Sequence, residues 1–167
     1  GKAAALAELA TGHLKGVTNG AALVLGSGLG GGIIINGKLF QGSHFQAGEL
    51  TFLLPLQMEK LDPSLMQETT LSAIGLITKV NEILASLDLK DGLLAFKAIN
   101  AKKEAVYPIF ETYCRNLAIT ILNLQTIFDM ETFVLGGGIS AQSILIEEVN
   151  RQFDNCLLYT SDAADDK

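Results

Sequence analysis

The chain has 167 residues, of which 49% are hydrophobic and 18% are charged, so it can bury one sizeable core. Its net charge of −6 provides no basic surface for nucleic acid, and its apolar runs are far shorter than the roughly 20 residues that span a bilayer. The two cysteines, Cys114 and Cys156, lack the spacing of zinc ligands or the density of a disulfide scaffold, which favours a reducing cytoplasm.

The first elements predicted along the chain are a helix and three strands. Residues 1–14 carry apolar residues at helical spacing with no N-cap residue ahead of them, so the helix is expected to start upstream. Strands are predicted at 21–25 and 33–35, on either side of the glycine-rich segment 26–32, and at 38–41 after Asn36-Gly37. Asn-Gly between apolar runs favours a type I′ turn, whose two central residues need positive φ. Three consecutive antiparallel strands are therefore expected.

Helices follow the strands. Asp62 and Pro63 are typical of an N-cap and a first helical residue, and an apolar pattern continues from them to Leu84. A short helix is predicted to open at Asp91. A longer helix is predicted over residues 102–128, with Pro108 in its first or second turn.

The last part of the chain is predicted to form a strand, a turn and a helix. The strand covers residues 132–135, the turn is Gly136-Gly137-Gly138, and Ser140 is expected to cap a helix that continues to Phe153. Residues 156–167 continue neither the helical stripe nor any family pattern, and they resemble a translated sequencing adapter. They are expected to be a non-native or disordered tail that packs poorly.

The glycine-rich segment 26–32 is typical of a phosphate-binding turn. Glycines lack a Cβ, so backbone N–H groups can approach phosphate oxygens closely, and Ser27 adds a hydroxyl donor. The segment also satisfies the dinucleotide pattern G-x-G-x-x-G, but that pattern requires a helix directly after it, and strand 33–35 follows instead. No P-loop lysine follows, which excludes the Walker type. A glycine-rich turn without a ligand is the alternative.

The second glycine cluster, residues 136–138, stands where a predicted strand gives way to a helix. Glycines there allow a flat adenine or ribose to rest against the backbone, and a helix N-terminus favours negative charge. By itself the cluster is equally well explained as an ordinary turn. Two such clusters, about 110 residues apart, are what a nucleotide clamped between subdomains would need.

Taken together, these segments resemble the ROK family of sugar kinases and sugar-responsive repressors. The resemblance rests on residues 25–39, Gly42, Ala47-Gly48-Glu49 and residues 133–140, and it covers nearly all of 1–155. It implies an α/β fold: an actin/hexokinase (ribonuclease H-like) ATPase lobe with a mixed sheet, three leading antiparallel strands and flanking helices. Residues 1–155 would be the C-terminal nucleotide-binding lobe of a sugar kinase, truncated at both ends.

The resemblance also implies a role for each matching residue. The phosphates of ATP would bind Gly26, Ser27, Gly28, Gly30 and Gly31, the adenosine would bind Gly136, Gly137 and Gly138, and Glu49 would bind sugar hydroxyls. ATP and Mg²⁺ are the expected cofactors, no metal-ligating residue is expected, and the intact protein is expected to be a homodimer. The family's general base, an aspartate, would directly precede Gly1. The chain alone is therefore expected to be inactive.

The chain departs from the family pattern where Gly-Glu-Ile-Gly-His and a zinc loop are usual. It reads Gly48-Glu49-Leu50-Thr51-Phe52, and Phe52 can neither bind zinc nor hydrogen-bond the C1 and C2 hydroxyls of a sugar. An apolar ring there suggests a sugar whose C1 oxygen is already substituted, such as a β-glucoside, with a free hexose as the alternative. The alternative of another class is a transcriptional repressor whose DNA-binding domain lies outside this sequence. The intact phosphate glycines favour the kinase.

Overall fold

A computed structural model of the chain describes residues 1–53 and 70–161. The strands in these ranges form one mixed sheet in the order β3-β2-β1-β4, with β1 at Gly20–Leu25, β2 at Leu29–Ile35, β3 at Lys38–Phe40 and β4 at Thr132–Gly137. β2 pairs antiparallel with both β1 and β3, whereas β4 joins β1 in parallel. The predicted α/β fold with three leading antiparallel strands is confirmed.

The remaining elements in the described ranges are helices. They are α1 at Lys2–Thr11, a 3-10 helix at Leu50–Phe52, α2 at Ala73–Ile83, α3 at Gly92–Asn100, α4 at Tyr107–Phe128 and α5 at Ser143–Ser161. None of the helices in the described ranges is long and apolar enough to cross a membrane. The chain divides into two compact units: the first comprises Gly1–Gly75 and Ile127–Ala141, and the second comprises Leu76–Thr126 and the chain from Gln142 onward.

The sheet of the first unit is covered on both faces. Because successive side chains of a strand point to opposite faces, neighbouring residues of β1 belong to different clusters. One face packs against α1, and its cluster contains Ala5, Leu14, Ala22 and Ile34, with Leu9, Val17, Leu39 and Val134 at its edge. The other cluster contains Ala21, Ile33 and Met130, with Ile35, Phe128 and Phe133 beside it. Burial on both faces explains why β1 reads as an unbroken apolar run.

The β2–β3 hairpin turns at the predicted Asn-Gly pair. Asn36 and Gly37 have φ values of 52° and 69°, as a type I′ turn requires. The Asn36 N–H donates to Asn19 Oδ1 at 3.0 Å, and the Gly37 N–H donates to the Thr18 carbonyl at 2.8 Å. β2 begins at Leu29, inside the glycine-rich segment, so the first turn is limited to residues 26–28.

The predicted continuous helix from Asp62 to Leu84 is wrong at its centre. Asp62 and Pro63 lie outside the described residues, but within the described part α2 starts anew at Ala73. Ser72 caps it, since the Gly75 N–H donates to Ser72 Oγ at 2.9 Å. The helical pattern of the sequence continues through this break because Leu71 is an apolar residue buried by tertiary contacts.

The boundaries of the later helices differ from the prediction in three places. α4 begins at Tyr107 rather than near 102, because Lys102 adopts a left-handed φ of 48° that interrupts the helical backbone. Ser140 does not cap α5, which starts at Ser143; its hydroxyl donates to the Gly137 carbonyl at 2.9 Å instead. α5 continues to Ser161, past the predicted end. The predicted helix start at Asp91 is confirmed, and Asp91 is its N-cap, since Leu94 N–H donates to Asp91 Oδ1 at 2.9 Å.

Candidate functional site

The two glycine clusters meet at one edge of the sheet in the first unit. β1 and β4 are parallel neighbours, and the register places Val24 opposite Gly136 and Leu25 opposite Gly137. The turn 26–28 directly follows Leu25, so it lies beside the end of β4. Parallel strands end at the same edge of a sheet, and ligands of open α/β sheets bind at that edge. Segments about 110 residues apart in sequence are therefore adjacent in the fold.

The turn at residues 26–28 is closed by its own backbone and by the start of α2. The Gly26 N–H donates to the Gly28 carbonyl at 3.0 Å. The Gly26 carbonyl accepts from Ala73 N–H at 2.8 Å and from Ile74 N–H at 3.4 Å. Both backbone groups of Gly26 are thus engaged, whereas Ser27 is exposed at the tip of the turn.

Packing explains some of the glycines. Gly31 is buried, and a Cβ there would lie 2.5 Å from the Gly48 carbonyl oxygen and 2.5 Å from Leu50 Cγ. Gly137 has φ of 104°, and a Cβ would collide with the Leu25 carbonyl. Any side chain at these two positions would strain or displace the neighbouring backbone. Their glycines are required by the fold itself.

Packing does not explain Gly26 and Gly138. A Cβ at either position would meet no atom of residues 1–53 and 70–161 within 4 Å, and neither residue has a positive φ. Neither steric crowding by the described residues nor backbone conformation therefore requires glycine at these two positions, which lie at the same edge of the sheet. Because glycine has no Cβ, the space above the backbone at these positions is clear, and a ligand could approach the backbone closely there.

Glu49 lies next to this edge through its neighbour Gly48, whose carbonyl packs against Gly31. Its exposed carboxylate forms an ion pair with Lys2 Nζ at the start of α1. The backbone of Gly1 also lies against the glycine strand, since a Cβ on Gly30 would be 3.5 Å from Gly1 Cα. The structure thus brings the start of α1, Glu49 and β2 together. Sequence reasoning missed Lys2, which has the pattern of any surface lysine on a helix.

Two exposed aromatic rings follow β3. Phe52, at the end of the 3-10 helix, is 64% exposed. Phe45 is 69% exposed and has a left-handed φ of 58°, an uncommon conformation for a bulky residue. The sequence pattern singled out Phe52 but not Phe45, because the left-handed backbone conformation of Phe45 can be seen only in the structure.

The second unit contains a polar network that sequence reasoning also missed. Glu148 is buried, at 4% exposure, and its oxygens accept from Arg151 Nε at 2.9 Å, Gln152 Nε2 at 2.7 Å and the Tyr107 hydroxyl at 3.0 Å. Arg151 also binds Glu111 Oε1 at 2.7 Å. These hydrogen bonds outweigh burial and hold the pKa of Glu148 below its usual value. Burial, together with the acceptor Glu148, raises the pKa of Tyr107 to about 12.

This network borders an open cavity of about 600 Å³ in the second unit, which Lys102 and Ser143 also line. Lys102 Nζ lies 5.3 Å from the centre of the Tyr107 ring. Since the buried carboxylate is fully paired, the network fits a structural role in joining α4 to α5. Within residues 1–53 and 70–161, no three His, Cys, Asp or Glu side chains are grouped so that they could hold a metal ion.

The ROK family profile matches residues 2–165. A glucokinase from Halalkalibacterium halodurans is 29% identical, with 90% of this chain and 51% of that protein aligned. A β-glucoside kinase from Klebsiella pneumoniae is 30% identical, with 80% of this chain and 46% of that protein aligned. The chain spans about half the length of the curated relatives it matches.

Solved structures agree with this fold. A ROK family protein from Streptococcus pneumoniae in complex with sucrose is 29% identical, with a TM-score of 0.74 and coverage of 90% of this chain and 50% of that one. A ROK family glucokinase from Streptomyces griseus with glucose and AMPPNP has a TM-score of 0.76 at 24% identity, over 91% and 55%. A ROK family transcriptional regulator, a homologue of the E. coli MLC protein, has a TM-score of 0.75 at 24% identity, over 92% and 42%. The last two support the fold alone.

Proposed function

Because the chain belongs to the ROK family, we propose that it is the nucleotide-binding half of an ATP-dependent sugar kinase, which transfers the γ-phosphate of ATP to a sugar hydroxyl. The observation that carries this proposal is the pair Gly26 and Gly138. Among the described residues, nothing lies within 4 Å of a Cβ placed on either glycine, and no contact there explains why these positions at one edge of the sheet are glycine. A nucleotide with its phosphates at one turn and its adenosine at the other would supply a reason.

The roles of the individual residues follow from this arrangement. The exposed turn would offer the Ser27 N–H and the Ser27 hydroxyl to the phosphates, while Gly26, whose own N–H is bonded to the Gly28 carbonyl, would leave space for them. The backbone at the end of β4 would support the adenosine. Glu49 would bind sugar hydroxyls, with Lys2 holding its carboxylate in place. The proposed phosphate-binding residues are Gly26, Ser27, Gly28, Gly30 and Gly31, and the proposed adenosine-binding residues are Gly136, Gly137 and Gly138.

Phosphoryl transfer also needs a group that takes the proton from the attacking sugar hydroxyl. We place this general base, an aspartate, in the residue that would precede Gly1. The contact of Gly1 with Gly30 and Gly31 supports this placement, because that residue would enter beside the proposed phosphate site. Catalysis here depends on positioning the hydroxyl in line with the γ-phosphate. We therefore expect the chain alone to bind nucleotide without turnover.

Magnesium would reach this site as part of the ATP complex. Mg²⁺ prefers oxygen ligands and is often held by substrate phosphates and water rather than by an all-protein cage. Bound magnesium would neutralise charge on the β- and γ-phosphates.

An ATP-dependent reaction and two unpaired cysteines favour a cytoplasmic location.

For the sugar, we propose a β-glucoside. The exposed apolar ring of Phe52 supports a substrate whose C1 oxygen carries a substituent rather than a free hydroxyl. The relative from Klebsiella pneumoniae is named a β-glucoside kinase, but the relative from Halalkalibacterium halodurans is named a glucokinase. A free hexose is therefore the alternative substrate.

The second candidate function is sugar-responsive transcriptional regulation. A ROK family transcriptional regulator shares this fold at 24% identity, so the fold by itself does not separate a regulator from a kinase. A regulator that only senses sugar has no chemical need for an open phosphate turn, so the clear space at Gly26 favours the kinase.

Nucleotide binding by the purified chain tests the proposal directly. Isothermal titration with AMPPNP and magnesium should show binding, ADP should bind as well, and UMP should bind more weakly because it lacks the adenine and two phosphates. If AMPPNP does not bind at millimolar concentration while the chain remains folded by circular dichroism, the kinase proposal fails and the regulator becomes the better candidate.

A further inference from the structure

We propose that Ser72 is a positioning residue for the nucleotide phosphates, acting through α2 and Gly26 rather than by touching the ligand. The inference rests on the proposed function, because it assumes that phosphates bind at the turn 26–28. It adds a residue outside both glycine clusters, in a segment to which sequence reasoning gave no functional role.

Ser72 fixes the point at which α2 begins. Its side chain is nearly buried, at 8% exposure, and its Oγ accepts from the Gly75 N–H at 2.9 Å. This is the geometry of a helix N-cap, which satisfies one of the N–H groups that the first turn leaves unpaired. Leu71, directly before it, is fully buried and anchors the entry to the helix.

The first turn of α2 holds the Gly26 carbonyl. Ala73 N–H donates to it at 2.8 Å and Ile74 N–H at 3.4 Å. These two donors are therefore engaged by the protein and are unavailable to a phosphate. The positive end of α2 acts on the site through the orientation of Gly26, not as a direct anion-binding helix N-terminus.

The orientation of Gly26 determines the direction of the Ser27 N–H. The described backbone contains no cis peptide bond, and in a trans peptide the carbonyl of one residue and the N–H of the next point in opposite directions. With its carbonyl directed at α2, the Gly26–Ser27 peptide directs the Ser27 N–H away from the helix, at the exposed tip of the turn. The bond from Gly26 N–H to the Gly28 carbonyl limits rotation of this peptide.

Loss of the Ser72 cap should therefore loosen the Gly26 peptide and misdirect a phosphate donor. For Ser72→Ala we expect the dissociation constant of magnesium AMPPNP to rise about fivefold to tenfold, as expected when one hydrogen bond to the ligand is weakened. The dissociation constant of adenosine, which has no phosphates, should stay unchanged. Ser72→Thr keeps the hydroxyl and should restore most of the AMPPNP affinity.

Asp91→Ala is the matched control. It removes the corresponding cap of α3, a 2.9 Å bond from Leu94 N–H to Asp91 Oδ1, in the second unit. It should lower the melting temperature about as much as Ser72→Ala does and leave both affinities unchanged. A general loss of stability is thereby separated from a specific loss of phosphate binding.

Two results would overturn the inference: an unchanged AMPPNP affinity in Ser72→Ala, or an equal loss of adenosine affinity. If Ser72→Ala does not fold, the wild-type chain still provides a test by NMR. The Ser27 amide resonance should shift on addition of magnesium AMPPNP and not on addition of adenosine. A Ser27 amide resonance that does not shift with AMPPNP would contradict the proposed role of Ser72 in positioning this phosphate donor. If the wild-type chain binds adenosine but no AMPPNP, or neither, the proposed phosphate site fails first and this inference fails with it.

Discussion

At the scale of single residues, the glycines at the sheet edge where β1 and β4 end divide into two groups, which should respond differently to substitution by alanine. Gly26→Ala and Gly138→Ala add a methyl group in open space without positive φ, so the free energy of unfolding should change by less than about 1 kcal/mol. Gly137→Ala places a Cβ against the Leu25 carbonyl at φ of 104°, and should cost about 1–3 kcal/mol. Urea unfolding of the three variants measures these differences.

The same variants should separate in nucleotide binding. Gly26→Ala and Gly138→Ala should weaken AMPPNP binding although they leave the fold intact, because the added methyl fills space kept for the ligand. Gly92→Ala, where a Cβ would make an ordinary 3.5 Å contact with Ile77, serves as the control and should alter neither property. Unchanged AMPPNP affinity in both open-space variants would contradict the proposed site.

Glu148 should make stability depend on pH. Its pKa is lower in the folded protein than in the unfolded chain, so the carboxylate stabilises the fold above the unfolded pKa of about 4.3, and this contribution is lost as the pH falls through the folded value. At pH 7, Glu148→Gln should cost about 1–3 kcal/mol, since it weakens the bonds from Arg151 and Tyr107. The difference from wild type should shrink as the pH falls from 7 through the unfolded pKa of about 4.3 toward the lower folded value. Urea titrations across that range test this, and a constant difference would argue against the ionised carboxylate.

At the scale of secondary-structure elements, the β2–β3 hairpin should depend on the second residue of its turn. Gly37 has φ of 69° and a Cβ there would contact nothing, so Gly37→Ala should act through backbone strain alone and cost about 1 kcal/mol. Asn36→Gly replaces one residue that tolerates positive φ with another, so it should lower the free energy of unfolding by less. Thermal unfolding of both variants is the measurement, and equal losses would show that φ is not the cause.

At the scale of the whole molecule, activity should require the rest of the protein. The chain alone should release no ADP from ATP in the presence of sugar, whereas the chain joined to its preceding segment with the aspartate should phosphorylate a sugar. A coupled ADP assay with free hexoses and β-glucosides at saturating magnesium and ATP tests this. Turnover by the chain alone would contradict the placement of the general base before Gly1.

The joined protein also allows the roles of Glu49 and the phosphate turn to be separated. Glu49→Ala should raise the KM for sugar and leave the KM for ATP unchanged, because the carboxylate lies on the Lys2 side of β2. Gly28→Val should raise the KM for ATP by obstructing the turn. Lys2→Met, which removes the ion-pair partner of Glu49, should also raise the KM for sugar, but by less than Glu49→Ala does. A Glu49→Ala protein with an ordinary sugar KM would remove Glu49 from the site.

The sequence by itself determined the family, the three leading strands and the Asn36-Gly37 turn. These features depend on local patterns: apolar runs, glycine composition and the φ preference of neighbouring residues, all of which act within a few positions of the chain. The cap at Asp91 and the place of Pro108 at the start of α4 were predictable for the same reason.

The tertiary structure decided what depends on residues far apart in the sequence. The break before Ala73 follows from its bond to Gly26, 47 residues earlier by number, and the pairing of Lys2 with Glu49 and of Tyr107 with Glu148 leaves no local signal. The pattern of glycines could not separate Gly31, which packing requires, from Gly26, which it does not. That distinction depends on which atoms approach each Cα from other elements, and only the folded chain brings those atoms together.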